Sequence, residues 1–350
     1  MPPRRAQADV ALYGATGYTG RLAAHAMAAA GLDVILAGRN QEALEALAQE
    51  VDAAGVRVAA SDDPEALLRV AESAAVLVSC AGPFAEVGEL VVAAAIAAGR
   101  HYLDSTGETT FMAQTHRRHD ARARAAGVVV MNSCAFEYVL GDCAAELALI
   151  DLPEARELDV AYHVDHPRLS QGTALSALGI MASGKVPVRS RRFTFSDGAQ
   201  AWAASYPGGE TELVPRRHPG VAVTAWLSLP PAVARLAPAA SGLAPLLGSG
   251  PVRALVRRAV ARMPTGPTAG ERARQRFVID ALARGGGKTA GVSVRGADPY
   301  GLTGEILART AARLARGEQV AAGVLAPSEA FEPEGTLAAL ADLGVEVARL

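Results

Sequence analysis

The sequence is poor in cysteine and almost free of lysine. Its three cysteines, Cys80, Cys134 and Cys143, form no C-x-x-C pair, which argues against a disulfide-stapled secreted fold and a cysteine-rich zinc module. All but two of the 34 basic residues are arginines, so a lysine mechanism must use Lys185 or Lys288. Neither lysine follows a tyrosine by four residues, which excludes the Tyr-x-x-x-Lys pair of short-chain dehydrogenases.

Long hydrophobic runs and a strong net charge are also missing. No uncharged apolar stretch reaches 18 residues without proline or glycine, and the N-terminus has no signal-peptide core. We therefore expect no spanning helix and no secretion, and predict a cytoplasmic protein. The formal net charge is −2 and the sequence pI about 6.4, which provides no general field for holding nucleic acid.

What the chain does have is length and hydrophobic residues. Its 350 residues are 50% hydrophobic, which is enough to bury a core and favours two domains. The first 135 residues alternate short apolar runs with helical stretches, a pattern that predicts β-α-β units and a Rossmann-type, doubly wound parallel sheet. Residues 136–300 are predicted to form an α+β substrate domain with an antiparallel sheet, and residues 301–350 a helical segment. The strands predicted in the first domain are residues 9–13, 33–37, 57–60, 75–79, 101–104 and 128–131.

A glycine-rich loop follows the first predicted strand directly. Gly14, Gly17 and Gly20 form a G-x-x-G-x-x-G variant of the dinucleotide fingerprint, which serves a tight turn, close approach of a pyrophosphate and helix–strand packing. The helix that follows offers N–H groups and a positive dipole to the phosphates. A plain tight turn is the alternative. The residues predicted to bind the cofactor here are Gly14, Thr16, Gly17, Tyr18, Thr19 and Gly20.

The residue after the second strand indicates which cofactor is bound. Arg39 stands nineteen residues past Gly20, where NAD-binding folds carry an acidic residue for the adenosine ribose. A guanidinium can instead hold a 2′-phosphate, so Arg39 and its neighbour Asn40 favour NADP(H), with a solvated surface arginine as the alternative. Further cofactor contacts are predicted after the third and fourth strands, at Asp62 and at Cys80, Ala81, Gly82, Pro83 and Phe84.

Together these motifs resemble the saccharopine dehydrogenase-like oxidoreductases, and most nearly the branch that includes the trans-acting enoyl reductases. The motifs are GATGYTG at 14–20, AGR at 37–39, CAGPF at 80–84 and YLDSTGE at 102–108. The resemblance is strong over residues 9–135 and looser beyond. It implies NADP(H) binding, a Rossmann domain, a second α+β domain and a C-terminal helix that packs back on the Rossmann domain. The stretch AFEYVLGD at 135–142 and the short second domain depart from the family, which leaves the substrate open.

The resemblance does not supply a proton donor. Hydride transfer to most acceptors needs one, and the candidates expected near the C-terminal edge of the sheet are Tyr102, Glu108 and Tyr138. For Glu108, hydrogen bonding to backbone is the stronger explanation. His116 and His119 have helical spacing, but adjacent arginines and the lack of a third ligand predict no metal site.

An apolar stretch and a basic segment adjoin in the second domain. Residues 220–252 carry a single charged residue, Arg235, and residues 253–288 carry nine basic residues against two acidic ones. Such a pair suits a lipid surface, an acyl chain on a phosphopantetheine or an acidic carrier protein, with peripheral lipid contact expected through residues 220–262. An ordinary lid with a solvated basic face is the alternative.

These observations predict an NADP-dependent oxidoreductase. Its reaction would be the reduction of an activated C=C or C=N bond in a small hydrophobic or carrier-linked substrate, with enoyl reduction as one form. The alternative is a protein that binds NADP(H) without turnover, as a redox sensor or interaction protein, because fold does not imply function. The sequence leaves the oligomeric state open.

Overall fold

The computed structural model describes residues 7–183, 188–240 and 250–350, with the side chains of 178–183, 240 and 250–253 left out. The chain divides into two compact units. Unit 1 comprises Met1–Thr106, Thr110–Phe136 and Tyr300–Phe331. Unit 2 comprises Gly107–Thr109, Glu137–Pro299 and Glu332–Leu350.

Unit 1 is built on a seven-stranded parallel sheet. Its strands are β1 (Ala8–Tyr13), β2 (Val34–Gly38), β3 (Gly55–Val58), β4 (Ala74–Ser79), β5 (His101–Asp104), β6 (Val129–Met131) and β13 (Gly323–Val324), in the order β13-β6-β5-β4-β1-β2-β3. The strand order reverses between β1 and β4, which is where doubly wound folds bind their ligands. The predicted Rossmann-type sheet is thereby confirmed.

The helices of unit 1 alternate with its strands along the chain. They are α1 (Tyr18–Ala29), α2 (Gln41–Val51), α3 (Pro64–Glu72), α4 (Phe84–Ala97), α5 (Thr109–Ala126), α12 (Pro299–Ala315) and α13 (Pro327–Ala330). Gly31, Gly99 and Gly127 follow α1, α4 and α5 with φ of +72°, +67° and +68°, the left-handed conformation in which helices commonly end. Asp52 takes the left-handed position after α2, as aspartate can, and Gly55 begins β3.

Unit 2 is an α+β unit built on a seven-stranded mixed sheet. Its strands are β7 (Glu157–Val164), β8 (Ser190–Thr194), β9 (Gln200–Tyr206), β10 (Ala222–Leu229), β11 (Arg276–Gly285), β12 (Lys288–Ala297) and β14 (Glu346–Arg349), in the order β14-β12-β11-β7-β10-β9-β8. The predicted antiparallel sheet is corrected at one pair, because β7 and β10 run parallel. The helices are α6 (Phe136–Asp151), α7 (Gln171–Ser183), α8 (Glu210–Arg217), α9 (Pro231–Ala240), α10 (Gly250–Val260), α11 (Ala269–Arg272) and α14 (Pro333–Ala338).

The domain prediction placed the last fifty residues together on the Rossmann domain. The structure instead divides them between the two units. Helix α12 and strand β13 belong to unit 1, whereas Glu332–Leu350 belongs to unit 2. Strand β14 pairs antiparallel with β12, and the Leu350 N–H donates to the Gly291 carbonyl at 2.8 Å. The edge of β12 thus gives the C-terminal backbone hydrogen-bond partners, which is why these residues join the second sheet.

Candidate functional site

Two glycines of the glycine-rich loop are required by the fold itself. Gly14 has φ +77°, and a Cβ there would lie 2.7 Å from the Ala81 nitrogen. Gly20 is buried, and a Cβ there would overlap the Gly14 carbonyl and lie 2.9 Å from the Ala15 Cα. These two positions therefore hold the loop against its neighbours, and neither tolerates a side chain.

Gly17 is different, because the space beside it is open. It is exposed and caps the N-terminus of α1 in an extended conformation without a side-chain hydrogen bond. A Cβ there would meet only the Gly14 carbonyl, at 3.3 Å. The intermediately exposed Thr16, Tyr18 and Thr19 flank it. The positive end of α1 thus lies beside a cradle that a side chain at Gly17 would fill, which fits a pyrophosphate.

Arg39 and Asp62 follow β2 and β3, and both are close enough to Tyr13 for their charges to act on it. Burial raises the pKa of Tyr13, while the Arg39 charge lowers it and the Asp62 charge raises it, so both charges act on the same phenol. Arg39 is exposed and available to a 2′-phosphate. Asn40 is engaged in the fold, since its Oδ1 accepts the Ala43 N–H at 3.1 Å and caps α2.

The loop after β4 runs beside the glycine-rich loop. The Cys80 N–H donates to the Tyr13 carbonyl at 2.8 Å, and burial raises the pKa of the Cys80 thiol to about 12. Ala81 and Pro83 are partly exposed and Gly82 is exposed. Phe84 corrects the prediction, because its side chain is buried and packs on Phe111 with ring centroids 6.1 Å apart. It is a core residue at the start of α4 and presents no side chain to a cofactor.

Tyr102 is corrected in the same way. It lies within β5, is 0% exposed and belongs to the hydrophobic core of unit 1, where no substrate can touch it.

The carboxyl ends of β5 and β6 are held together by one side chain. The buried Asp104 accepts hydrogen bonds from the Thr106 N–H at 3.0 Å, the Ser133 N–H at 2.9 Å and the Asn132 Nδ2 at 2.7 Å. Burial raises the pKa of Asp104 to about 6 against the lowering effect of these bonds. The short polar residues Asp104, Ser105 and Thr106, which begin at the end of β5, are typical of a turn in which a side chain accepts hydrogen bonds from nearby backbone N–H groups.

Glu108 and Tyr138 both lie in unit 2. The buried Glu108 accepts a hydrogen bond from the Ser176 hydroxyl at 3.2 Å. Burial raises the pKa of Tyr138 well above its ordinary value, against the lowering effect of hydrogen bonds with Tyr206 and with the Gly209 backbone. The Tyr138 side chain is buried, and its oxygen would lie 3.9 Å from a Cβ at Gly107.

A buried carboxyl group that the sequence did not reveal lies beside these tyrosines. Glu210 is 0% exposed and its Oε1 is hydrogen-bonded to the Tyr162 hydroxyl. Burial raises the pKa of Glu210 to about 8 and that of Glu137 to about 7. A Cβ at Gly141 would overlap the Tyr162 hydroxyl, so α6 approaches β7 at a glycine. We call Tyr138, Tyr162, Tyr206 and Glu210 the tyrosine–glutamate cluster.

No group of three or more His, Cys, Asp or Glu side chains among the described residues could hold a metal ion. His119, one of the two histidines with helical spacing, is buried. Its Nε2 lies 3.0 Å from Glu89 Oε1 and its Nδ1 3.3 Å from Arg122 Nη1.

The apolar and basic segments are described only in part. Residues 241–249 and Lys185 lie outside the described residues. In the rest, Val233, Leu236 and Leu255 are exposed on α9 and α10, and the Arg235 guanidinium lies 4.6 Å from the Trp202 ring centroid. In the part of the chain that the structure covers, no helix combines the length and the apolar character needed to cross a membrane.

Known proteins resemble this chain in sequence and in fold. Residues 10–131 match the family described as the saccharopine dehydrogenase NADP-binding domain. A Mycobacterium tuberculosis protein named for the trans-acting enoyl reductases is 36% identical over 140 residues, 38% of this chain and 33% of the relative. The trans-acting enoyl reductase of Mycobacterium leprae is 32% identical over 148 residues, 41% of this chain and 35% of the relative. The matched region thus spans about a third of the length of these relatives.

The fold extends the likeness to the whole chain. Apo saccharopine dehydrogenase (L-Glu forming) from Saccharomyces cerevisiae superposes with a TM-score of 0.66 at 14% identity, covering 97% of this chain and 99% of the yeast chain. The two-unit α/β and α+β fold predicted from the sequence is the fold of that enzyme. NADP(H) is the cofactor of the matched domain. Residues 10–131 therefore match the saccharopine dehydrogenase NADP-binding domain, and the whole chain has the fold of the yeast saccharopine dehydrogenase.

Proposed function

We propose that this chain is an NADPH-dependent oxidoreductase that reduces an activated C=C or C=N bond in a hydrophobic substrate. An enoyl thioester is the first candidate, because relatives of the N-terminal region are named trans-acting enoyl reductases. The observation that carries the proposal is the open space at Gly17 beside the N-terminus of α1, in the region that matches an NADP-binding domain.

The residues of the glycine-rich loop fit the cofactor. Gly17 and the N-terminus of α1 would hold the pyrophosphate, and Arg39 the 2′-phosphate. When bound, NADPH supplies a hydride to the acceptor. The buried Phe111, Tyr102 and Phe84 support this sheet from within.

Tyr138 supplies the proton that completes the reduction. As its O–H bond breaks, negative charge develops on the oxygen, and hydrogen bonds with fixed groups stabilise such charge in a transition state. Those of Tyr138 with Tyr206 and the Gly209 backbone lower its pKa but only partly oppose burial, the largest effect, which raises that pKa well above its ordinary value.

The substrate's carrier or membrane contacts the exposed parts of α9 and α10. Leu236 and Leu255 are 65% and 68% exposed, and no acidic residue occurs between Glu212 and Glu271. Exposed apolar side chains on a stretch of sequence without carboxylates suit an acyl chain that is attached to an anionic carrier or to an anionic lipid surface.

The test is NADPH oxidation with short and long trans-2-enoyl thioesters and a cyclic imine. We expect turnover by the wild type and a loss of at least about 100-fold in kcat for Tyr138→Phe, the low end of the contribution of a general acid. Tyr102→Phe is the matched control, since it also removes a buried phenol and should retain turnover. Tight NADPH binding without oxidation by any acceptor would favour the non-catalytic sensor instead. Loss of turnover in the control alone would contradict the role of Tyr138.

A further inference from the structure

Helix α1 begins without a capping side chain, unlike its neighbours α2 and α3. Asn40 Oδ1 accepts the Ala43 N–H at 3.1 Å and Asp63 Oδ1 accepts the Ala66 N–H at 2.9 Å, whereas the N-cap of α1 is Gly17. A side chain at that glycine would fill the space beside the helix N-terminus in which a pyrophosphate fits. Because a capping side chain is excluded there, contacts on the flank of α1 matter more for holding its first turn.

Tyr300, the second residue of α12, lies on that flank. Its ring packs edge-to-face with the ring of Tyr18, the first residue of α1, with centroids 5.3 Å apart and planes at 83°. Both side chains are partly exposed, and both residues belong to unit 1. Aromatic rings in this geometry attract each other beyond the effect of the area they bury. Tyr300 thus contacts the residue that directly follows Gly17.

A second contact, one turn further along, shows how the two helices align. A Cβ at Gly304 would lie 3.0 Å from the Leu22 carbonyl carbon and oxygen and 3.2 Å from the Ala23 nitrogen, so α12 packs directly on the backbone of α1. The two contacts are four residues apart on each helix. The helices therefore run side by side in the same direction, with their first turns at the same end.

The first turn of α12 is itself anchored in the fold. Thr303 Oγ1 accepts the Phe136 N–H at 3.2 Å, and the side chains of Leu302 and Ile306 are buried. Pro299 begins the helix, a position that suits a residue without an N–H. The Tyr300 ring is therefore carried by a turn with fixed contacts of its own.

We propose that Tyr300 is a positioning residue for NADP(H), which acts through Tyr18 to hold the first turn of α1 in the geometry that receives the pyrophosphate. The inference rests on the placement of the pyrophosphate in the proposed function and is independent of the acceptor that the chain reduces. A turn that is already ordered loses less conformational freedom when the cofactor binds. Loss of the Tyr300 ring should therefore weaken binding of the pyrophosphate part of the cofactor and leave binding of the adenosine 2′-phosphate part unchanged.

The first experiment compares NADPH with 2′-AMP, a fragment that carries the 2′-phosphate and lacks the pyrophosphate. Tyr300→Leu keeps an apolar side chain that favours helix but removes the ring. By isothermal titration calorimetry it should weaken NADPH binding about three- to tenfold, with 2′-AMP binding unchanged. Tyr300→Phe retains the ring and should bind NADPH as the wild type does. Arg39→Ala is the matched control, because it should weaken the binding of both ligands.

A double-mutant cycle tests whether the effect passes through Tyr18. Tyr18→Leu should weaken NADPH binding, and the addition of Tyr300→Leu to that variant should change the affinity by less than about twofold, since the contact is already lost. Losses that simply multiply in the double variant would mean that Tyr300 acts independently of Tyr18, which contradicts the proposal.

The melting temperature of each variant without ligand separates positioning from a merely structural part. A lower melting temperature with unchanged NADPH affinity would make Tyr300 a packing residue and overturn the inference, as would equal losses of affinity for NADPH and 2′-AMP. A loss in Tyr300→Phe as large as in Tyr300→Leu would assign the effect to the hydroxyl group and also overturn it. If the wild type binds no NADPH, the cofactor site itself fails. If it binds NADPH but reduces no acceptor, only the proposed reaction fails, and the titrations still decide the role of Tyr300.

Discussion

Arg217 Nη2 lies 2.7 Å from Asp142 Oδ1, which joins α8 to α6 through a carboxylate that is 0% exposed. The same guanidinium donates through Nε to Glu146 at 2.9 Å, and His218 Nε2 lies 3.1 Å from that carboxylate. Glu210 begins the helix that Arg217 ends. The ion pair therefore holds the helix that carries the buried acid against the helix that carries Tyr138.

Replacing Arg217 should destabilise unit 2. Arg217→Met leaves the buried Asp142 carboxylate without its cation, and we expect the free energy of unfolding to fall by about 3–5 kcal/mol. Urea unfolding measures the change. Arg69→Met, at an exposed 3.9 Å pair with Glu65, is the control and should cost less than about 1 kcal/mol. An equal, small effect at both positions would contradict the structural role of Arg217.

Much of unit 1 could be predicted because its signals are local. Apolar runs, capping residues such as Asp63, whose Oδ1 accepts the Ala66 N–H, and the glycine-rich loop each mark an element within a few residues. The site predictions that were wrong in unit 1 are those that depend on how side chains pack in the core. Nothing within a few residues of Phe84 or Tyr102 shows that the core takes their side chains.

Unit 2 was harder because its elements are specified by partners distant in sequence. Strands β9, β11 and β14 went unpredicted, and the last of these is defined by pairing with β12. The tyrosine–glutamate cluster draws Tyr138, Tyr162 and Glu210 from three different elements, and successive members lie more than twenty residues apart in the sequence. Sequence spacing places no two of them together, and only Tyr138 was predicted as a site residue.

The cofactor preference should depend on Arg39. A charge-assisted contact to the 2′-phosphate contributes about 1.5–3 kcal/mol, roughly one to two decades in affinity. Arg39→Ala should therefore weaken NADPH binding and leave NADH binding nearly unchanged, as measured by fluorescence titration. Asn40→Ala, at the neighbouring residue, is the control. It should lower the free energy of unfolding by about 1 kcal/mol through the lost helix cap without altering the preference for NADPH over NADH. Equal affinity of the wild type for NADPH and NADH would rule out this role.

The three glycines of the loop should respond differently to a side chain. A Cβ at Gly17 would meet only the Gly14 carbonyl oxygen within 4 Å, so Gly17→Val should fold but lose NADPH binding as the side chain fills the pyrophosphate cradle. Gly20→Val should instead unfold or strongly destabilise unit 1, because its side chain would overlap the backbone of Gly14 and Ala15. Circular dichroism and NADPH titration distinguish the two effects. A folded Gly17→Val with wild-type affinity would show that the loop does not bind the cofactor.

Asp104 should make the stability of unit 1 depend on pH. Burial raises its pKa from 3.8 to about 6, so the fold favours the neutral acid. The stabilising contribution is complete below about pH 4 and is lost as the pH rises to about 6, which amounts to about 3 kcal/mol. Asp104→Asn should flatten that part of a curve of unfolding free energy against pH. A slope between pH 4 and 6 that is the same in both proteins would assign it to other groups.

The arginines of α10 should strengthen binding to an anionic surface. Arg258 is exposed and Arg257 partly so, beside the exposed Leu255. Each arginine near such a surface contributes about 1 kcal/mol, so changing both to glutamine should weaken cosedimentation with phosphatidylglycerol vesicles at least about tenfold. Arg117 and Arg118, adjacent and exposed on α5, provide the matched control for the loss of two charges. The difference should shrink at about 1 M salt, where the Debye length falls to about 3 Å. If both double variants bind the vesicles as the wild type does, the basic segment is an ordinary solvated face.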